Sequence, residues 1–172
     1  MNYRSAARVA APRLGLAPTA AALATFAALA FLLLHPAASN AAHARGPIVS
    51  TASTSLGRVL VDSRGHTLYL FGKDKHGKSA CTGMCTSFWP PLIATGKPRA
   101  AGGVRASLLG TTKRADGRVQ VTYNHHPLYT FKKDTKKGQT NGEGLSAFGA
   151  TWYAVSPAGA RVVKSSGGGG GY

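Results

Sequence analysis

Alternating apolar and polar positions recur twice along the chain, over residues 57–74 and again over residues 117–134. In the first copy Val59 and Val61 alternate with polar neighbours, a pattern that predicts a strand with one buried face. In both copies a polar turn follows, and then a short run of strand-forming residues that contains two aromatic positions. The pattern therefore predicts, in each copy, a β-hairpin followed by a loop.

The two segments are copies of one another. They align without a gap at an offset of 60 residues, and ten of the 18 aligned positions are identical. A polar, glycine-containing stretch and a tryptophan follow each copy. The recurring residues include Tyr69 and Tyr129, Phe71 and Phe131, Asp74 and Asp134, and Trp89 and Trp152. Because a single hairpin is marginally stable in water, we expect the two tandem repeats to pack into one small, mainly β domain.

The aromatic positions of each repeat lie two residues apart and therefore share one face of their strand. The opposite face differs between the copies, because Leu70 of the first copy corresponds to Thr130 of the second. We predict that the shared aromatic face points into the core. Pro90 and Pro91 follow the first tryptophan and predict that no strand continues there, whereas Tyr-Ala-Val follows the second and allows one.

Residues 1–44 have the pattern of an export signal. Three arginines and no acid precede an apolar stretch over residues 14–34, after which a His-Pro pair and small residues follow. This order predicts a secretory signal peptide, with Arg45 as the first mature residue and a second candidate cleavage site in residues 37–39. The alternative is an uncleaved anchor, since an apolar stretch of this length can span a bilayer. No cysteine lies near either site, which argues against a lipid anchor.

Composition sets the remaining boundaries. We predict a flexible lead-in over residues 45–55, repeat 1 over 56–92, a Gly- and Pro-containing linker over 93–110, repeat 2 over 111–164 and a disordered Gly-rich tail over 165–172. A short strand is expected around residues 104–109. No part of the mature chain shows the period of an amphipathic helix.

The chain carries 21 basic and five acidic residues, which give a formal net charge of +16. Residues 1–44 contain three of the basic residues and no acid, so the mature chain keeps a net charge of +13. A strongly basic exported protein is attracted to polyanions. We expect lysines such as Lys132, Lys133, Lys136 and Lys137 to contact an anionic envelope polymer or a partner protein. The alternative is that these lysines only form a solvated face.

The same composition sets expectations for other partners. We expect no specific nucleic-acid binding, a monomer, and membrane contact only through the N-terminal segment if that segment stays uncleaved. We also expect no cofactor.

Cys81 and Cys85 are the only cysteines of the chain. In an exported protein an even pair predicts a disulfide, which here would hold the loop that follows the first hairpin. The alternative is a metal site, because Cys81, Met84 and Cys85, with His76 nearby, supply the soft ligands that Cu(I) prefers. Periplasmic or extracellular copper binding is accordingly the alternative function.

Asp74 and Asp134 recur at the end of the aromatic strand in both copies. We predict that each accepts hydrogen bonds from the backbone of the following loop, and a catalytic carboxylate is the alternative. Asp134, Asn141 and Glu143 supply oxygen ligands of the kind that Ca²⁺ prefers, but the Asp-x-Asp-x-Asp-Gly pattern is missing.

No constellation of a nucleophile and a base is visible in the sequence. The chain has no G-x-S-x-G elbow, no H-E-x-x-H pair and no phosphate-binding glycine loop before a helix. His66 and His126 recur in the two copies, and both are predicted to be solvated turn residues. We therefore expect a non-catalytic binding or structural protein, with an enzyme of unknown class as the last alternative.

Several strings of the chain resemble a known family. Tyr69–Asp74 and Tyr129–Asp134 both fit a Tyr-x-(aromatic)-x-x-Asp motif, and Ser79–Cys85 and the Trp-Pro-Pro-Leu string that begins at Trp89 complete the likeness. The chain resembles the bacterial secreted-repeat family, many of whose members are lipoproteins, over about residues 56–155. The resemblance implies an exported location and a repeat architecture but no activity. The chain departs from the family pattern in two ways: it lacks a lipidation cysteine, and its loop 138–144 has fewer acidic residues.

Overall fold

The computed structural model describes residues 45–162. The strands form three three-stranded sheets, and the prediction of a mainly β domain with two repeats is confirmed. In chain order the elements are β1 (Ile48–Thr54), β2 (Gly57–Val61), β3 (Tyr69–Phe71), α1 (Met84–Phe88), β4 (Arg99–Ala100), a 3₁₀ turn (Ala106–Leu108), β5 (Leu109–Lys113), β6 (Val119–Tyr123), β7 (His126–Pro127), β8 (Ser146–Ala147) and β9 (Ala150–Ala154). The predicted signal peptide or anchor over residues 1–44 and the predicted tail over residues 165–172 lie outside the described residues.

An antiparallel hairpin opens each repeat. Strand β1 pairs with β2, from Ser50 opposite Val61 to Thr54 opposite Gly57. Strand β5 pairs with β6 in the second repeat in the same antiparallel way. The prediction of a flexible lead-in over residues 45–55 is therefore wrong, because seven of those residues form β1. The sequence pattern did not predict β1, because the middle of this strand is rich in Ser and Thr and has no alternation of apolar and polar residues.

The predicted linker over residues 93–110 also contains ordered elements. Strand β4 adds to β1 in parallel, with Ile48 opposite Arg99. The strand expected around residues 104–109 begins only at Leu109, because a 3₁₀ turn occupies Ala106–Leu108.

The last segment of each repeat pairs with the other repeat. Strand β3 of the first repeat pairs with β9 of the second, with Tyr69 opposite Ala154 and Phe71 opposite Trp152. In the equivalent place of the other repeat, Tyr129 and Pro91 form an isolated bridge in place of a strand pair, and Tyr129 also bridges to Tyr69. The prediction that the diproline stops a strand there is confirmed, and each repeat completes its sheet with residues of the other.

The aromatic segment of the first repeat is strand β3, whereas that of the second, which was also predicted as a strand, makes only isolated bridges at Tyr129. Both faces of these segments are buried. The predicted aromatic face lies in one core cluster with the two tryptophans and the two cysteines. The opposite face, which contains Leu68, Leu70 and Leu128, lies in a second cluster with Val121 and Tyr123. The two aromatic segments thus lie between two cores. No helix within residues 45–162 is long and apolar enough to cross a membrane.

Candidate functional site

The tyrosines and aspartates of the two motifs are paired across the repeats. The hydroxyl of Tyr69 donates to Oδ2 of Asp134 over 2.5 Å, and the hydroxyl of Tyr129 donates to Oδ2 of Asp74 over 2.8 Å. Two backbone hydrogen bonds join the same tyrosines, each N–H donating to the other residue's carbonyl over 2.8 and 3.0 Å. The four residues therefore form a reciprocal clasp about a local pseudo-twofold axis.

The second carboxylate oxygen of each aspartate holds the loop of its own repeat. Oδ1 of Asp74 accepts the backbone N–H of Ala80 over 2.7 Å, and Oδ1 of Asp134 accepts that of Asn141 over 2.9 Å. This is the loop-capping role predicted for both residues. The bond to the opposite repeat was not predicted.

Burial governs the protonation of the clasp. It raises the pKa of Asp74 to about 6, against the opposing effects of the hydrogen bonds from Ala80 and Tyr129. Burial also raises the pKa of Asp134 above its usual range. The pKa values of Tyr69 and Tyr129 are raised by burial and by their aspartate partners, so both hydroxyls keep their protons as donors at neutral pH.

A buried arginine connects the clasp to the disulfide loop. Arg114 donates to Oγ of Ser79 over 2.8 Å and to the carbonyl of Cys81 over 2.7 Å, and Ser79 lies 2.7 Å from the Tyr129 hydroxyl. The Arg114 side chain also bonds Gln120. Sequence reasoning missed Arg114, and it placed Ser79 in the family string Ser79–Cys85 without predicting its hydrogen bonds. The only available signal was the position of Arg114 in a turn between two predicted strands.

Four aromatic rings form a stacked column beside the clasp. In order they are Phe71, Trp152, Trp89 and Phe131, with ring centroids 4.1, 3.9 and 4.2 Å apart. Each tryptophan stacks on the phenylalanine of the opposite repeat. The rings of Tyr69 and Tyr129 meet Trp89 and Trp152 edge-on. Aromatic pairs in such geometries are stabilising beyond their buried area, so the column joins the repeats as the clasp does.

Cys81 and Cys85 form the predicted disulfide. It lies at the start of helix α1, in which Cys85 is buried, while Met84 is 72% exposed. The copper alternative needs two thiolates, whereas these sulfurs bond to each other. Within residues 45–162, no group of three His, Cys, Asp or Glu side chains could hold a metal ion.

The other candidate metal ligands have partners within the fold. Glu143 accepts the backbone N–H of Ala154, and Asn141 donates its side-chain amide to the carbonyl of Lys133. With Asp134 bonded through both oxygens, these residues are used in holding the second loop, and the geometry gives no support to a Ca²⁺ site.

Three histidines line one small cavity with Asp74. It has a volume of about 370 Å³ and is bounded by His76, His125 and His126. The prediction that His126 is a solvated turn residue is wrong, because it lies in β7 and is half-buried. Its pKa is lowered by burial and by its neighbour His125. His66 lies at the other turn, 3.5 Å from Oδ2 of Asp62.

A family model described as a secreted repeat of unknown function matches residues 50–93 and 110–156, which together are more than half of the chain. The two matched segments begin within β1 and β5, so each includes the opening hairpin of its repeat. No curated protein and no solved structure matches the chain.

Proposed function

The chain belongs to this family of secreted repeats, and on that premise we propose that it is a non-catalytic, exported module that binds anionic components of the bacterial cell envelope. The family supports an extracellular or secreted location. The binding role rests on how the fold distributes charge.

All five acidic residues of the chain accept hydrogen bonds within it. Asp74 and Asp134 belong to the clasp, Asp62 caps a turn, Asp116 pairs with Arg118, and Glu143 holds a backbone N–H. The lysines within and directly after the second motif are exposed instead: Lys132, Lys133, Lys136 and Lys137. Uncompensated cations therefore dominate the outer surface. This distribution is the observation that carries the proposal, because such a field attracts polyanions.

The hydrogen bonds of the tyrosines and aspartates that recur in both repeats support a role without catalysis. Both oxygens of each clasp aspartate are bonded, and the tyrosine hydroxyls are committed to the aspartates. General base catalysis requires a free proton acceptor beside a nucleophile, and neither tyrosine–aspartate pair of the clasp has one. We assign the motif to joining the repeats. Since the two repeats already satisfy each other, we also propose that the module acts as a monomer.

The test is retention on immobilised polyphosphate compared with a neutral dextran matrix. We expect retention on polyphosphate alone and elution as salt rises, because exposed charges are screened beyond a Debye length. The double variant Lys136→Gln/Lys137→Gln should elute earlier. Lys97→Gln/Lys113→Gln removes the same charge from exposed sites elsewhere and is the matched control.

Two results would contradict the proposal. One is equal retention on the neutral matrix, and the other is retention that high salt does not reduce. Equal shifts for the two double variants would show that net charge acts rather than the lysines after the second motif.

A further inference from the structure

Two phenylalanines from different repeats meet on the surface. Phe88 at the end of α1 is 40% exposed and Phe148 in the β8–β9 turn is 39% exposed. Their ring centroids are 6.1 Å apart. Met84 lies one helical turn before Phe88 and on the same face of α1, and it is 72% exposed. Three apolar side chains thus face solvent together.

Phe148 occupies a backbone position that favours other residues. Its φ is 58°, and Gly149 follows with φ 90°, which makes a two-residue hairpin turn where Asn-Gly is the usual pair. A phenylalanine rarely adopts this region. Neither the turn nor the core requires an aromatic ring here, so its presence points to a contact outside the fold.

Lysines border the three apolar residues. Nζ of Lys132 lies 6.0 Å from the centroid of the Phe88 ring. On the other side, Nζ of Lys73 would lie 3.4 Å from a Cβ built at Gly149, next to Phe148. We call Met84, Phe88, Phe148, Lys73 and Lys132 the aromatic patch.

The anchoring of the patch is rigid. The disulfide fixes the first turn of α1, and the backbone N–H of Lys132 donates to the carbonyl of Phe88 over 2.9 Å. Trp152 ties the β8–β9 turn to the stacked column, because its indole N–H donates to the carbonyl of Ala147 over 3.3 Å. The apolar side chains are therefore presented from a fixed platform, which limits the entropy lost when they bind.

We propose that the aromatic patch is a docking surface for an anionic phospholipid membrane. Apolar side chains that protrude beside lysines match the boundary between acyl chains and anionic headgroups, where binding grows with buried apolar area and with charge attraction. A hydrophilic polymer would satisfy the lysines but not Met84, Phe88 and Phe148. This inference rests on the proposed function and names one of its anionic targets. It departs from the expectation that the protein contacts a membrane only through its N-terminal segment, and only if that segment stays uncleaved.

The test is co-sedimentation of the full exported chain with vesicles. One set contains phosphatidylcholine and phosphatidylglycerol, and the other contains phosphatidylcholine alone. We expect binding to the anionic vesicles. The variant Met84→Gln/Phe148→Asn should bind them about tenfold more weakly and still bind polyphosphate. Asparagine suits the turn backbone at position 148, so folding is preserved. Val119→Thr polarises another exposed apolar residue and should bind like the parent chain.

A second variant reports insertion directly. In Met84→Trp the new indole lies in the patch, whereas Trp89 and Trp152 are buried. Its emission should move to shorter wavelength with anionic vesicles and stay unchanged with polyphosphate.

Three outcomes separate the alternatives. If Met84→Gln/Phe148→Asn binds vesicles and polyphosphate as the parent does, the lysines alone act, and the membrane inference fails while the proposed function stands. If the parent chain binds neither probe, both fail. If the parent self-associates and the same variant abolishes this, a second copy covers the patch and the membrane inference is overturned.

Discussion

Tyr69 and Asp134 are 65 residues apart in sequence, yet the tyrosine hydroxyl donates a 2.5 Å hydrogen bond to the aspartate. Tyr129 and Asp74 repeat the arrangement in the opposite direction. A motif that recurs in tandem is thus completed only between the copies. The unit of folding is consequently the pair of repeats.

The first prediction concerns this bond. Tyr69→Phe removes one donor from a buried carboxylate, and we expect the free energy of unfolding to fall by about 1.5–3 kcal/mol. Denaturant unfolding followed by tryptophan fluorescence measures the loss. Tyr153→Phe is the control, because Tyr153 is only half-buried and its hydroxyl is not part of the clasp. A double-mutant cycle with Asp134→Asn should show coupling. Additive losses would mean that the bond does not link the repeats energetically.

The sequence identifies the residues of this arrangement but not how they pair. Identity at an offset of 60 residues marked both tyrosines and both aspartates as important. Alternation marked the aromatic face as buried. The sequence could not show which repeat supplies the partner of each aspartate, because a Tyr in the same copy is equally available along the chain. That choice depends on the backbone pairing between Tyr69 and Tyr129, which is long-range.

Four other features could not be predicted from the sequence, each for its own physical reason. Strand β1 is polar along most of its length, and its pairing partner stabilises it. Helix α1 is five residues long, too short to display a helical period. The position of Arg114 in the core depends on Ser79 and Gln120 together, which no local pattern indicates. The contact between Phe88 and Phe148 joins a helix end to a hairpin turn of the other repeat.

The second prediction concerns the stacked column. Phe71 and Phe131 are its two ends and have equivalent roles, so Phe71→Leu and Phe131→Leu should destabilise the protein to a similar extent, by about 1–3 kcal/mol each. Urea unfolding of both variants should remain a single transition by fluorescence and by far-ultraviolet circular dichroism. Two separated transitions would contradict the interlocked repeats. Val119→Thr, outside the column, should leave the midpoint unchanged.

The third prediction concerns the disulfide. Cys81 and Cys85 are separated by four positions, so the loop they close is small, and Cys81→Ser/Cys85→Ser should lower the free energy of unfolding by about 2 kcal/mol. The intact mass of the parent chain should be two hydrogens below that of the reduced chain. A reduced mass in protein recovered from the exported fraction would contradict the disulfide and restore the thiols as metal ligands. Treatment with a reductant should reproduce the stability of the double variant.

The fourth prediction concerns pH. The pKa of Asp74 is raised by burial from 3.8 to about 6, so the folded state holds this proton more tightly than the unfolded state. The stabilising contribution of the protonated form is complete below about pH 4 and is lost as pH rises through about 6. Asp74→Asn cannot ionise. As pH rises from about 4 to about 6, the parent loses this contribution and Asp74→Asn does not. The stability of the variant relative to the parent should therefore increase over that range.

Thermal melts at constant ionic strength measure that difference. The comparison between variant and parent removes the effect of charge repulsion among the many cations, which changes both proteins alike. Asp116→Asn is the contrasting control, because pairing with Arg118 lowers the pKa of Asp116. Its stability relative to the parent should stay nearly constant between about pH 4 and 6 and should rise only as pH falls below about 4. A pH-independent difference between Asp74→Asn and the parent would contradict the raised pKa.

The fifth prediction concerns the closest approach of a loop to the column. A Cβ at Gly142 would lie 2.8 Å from Cη2 of Trp89 and 2.9 Å from Cε1 of Tyr69. Both atoms belong to rings fixed by stacking and by the clasp, so neither can move away. Gly142→Ala should therefore lower the free energy of unfolding by about 1–3 kcal/mol. Gly110→Ala is the matched control, since its Cβ would meet a single atom, the Thr122 hydroxyl oxygen at 3.0 Å. A small shift of that one side chain relieves the contact, and alanine loses less backbone entropy on folding than glycine. Equal stability of the two alanine variants in urea would mean that the second loop is not packed against the column.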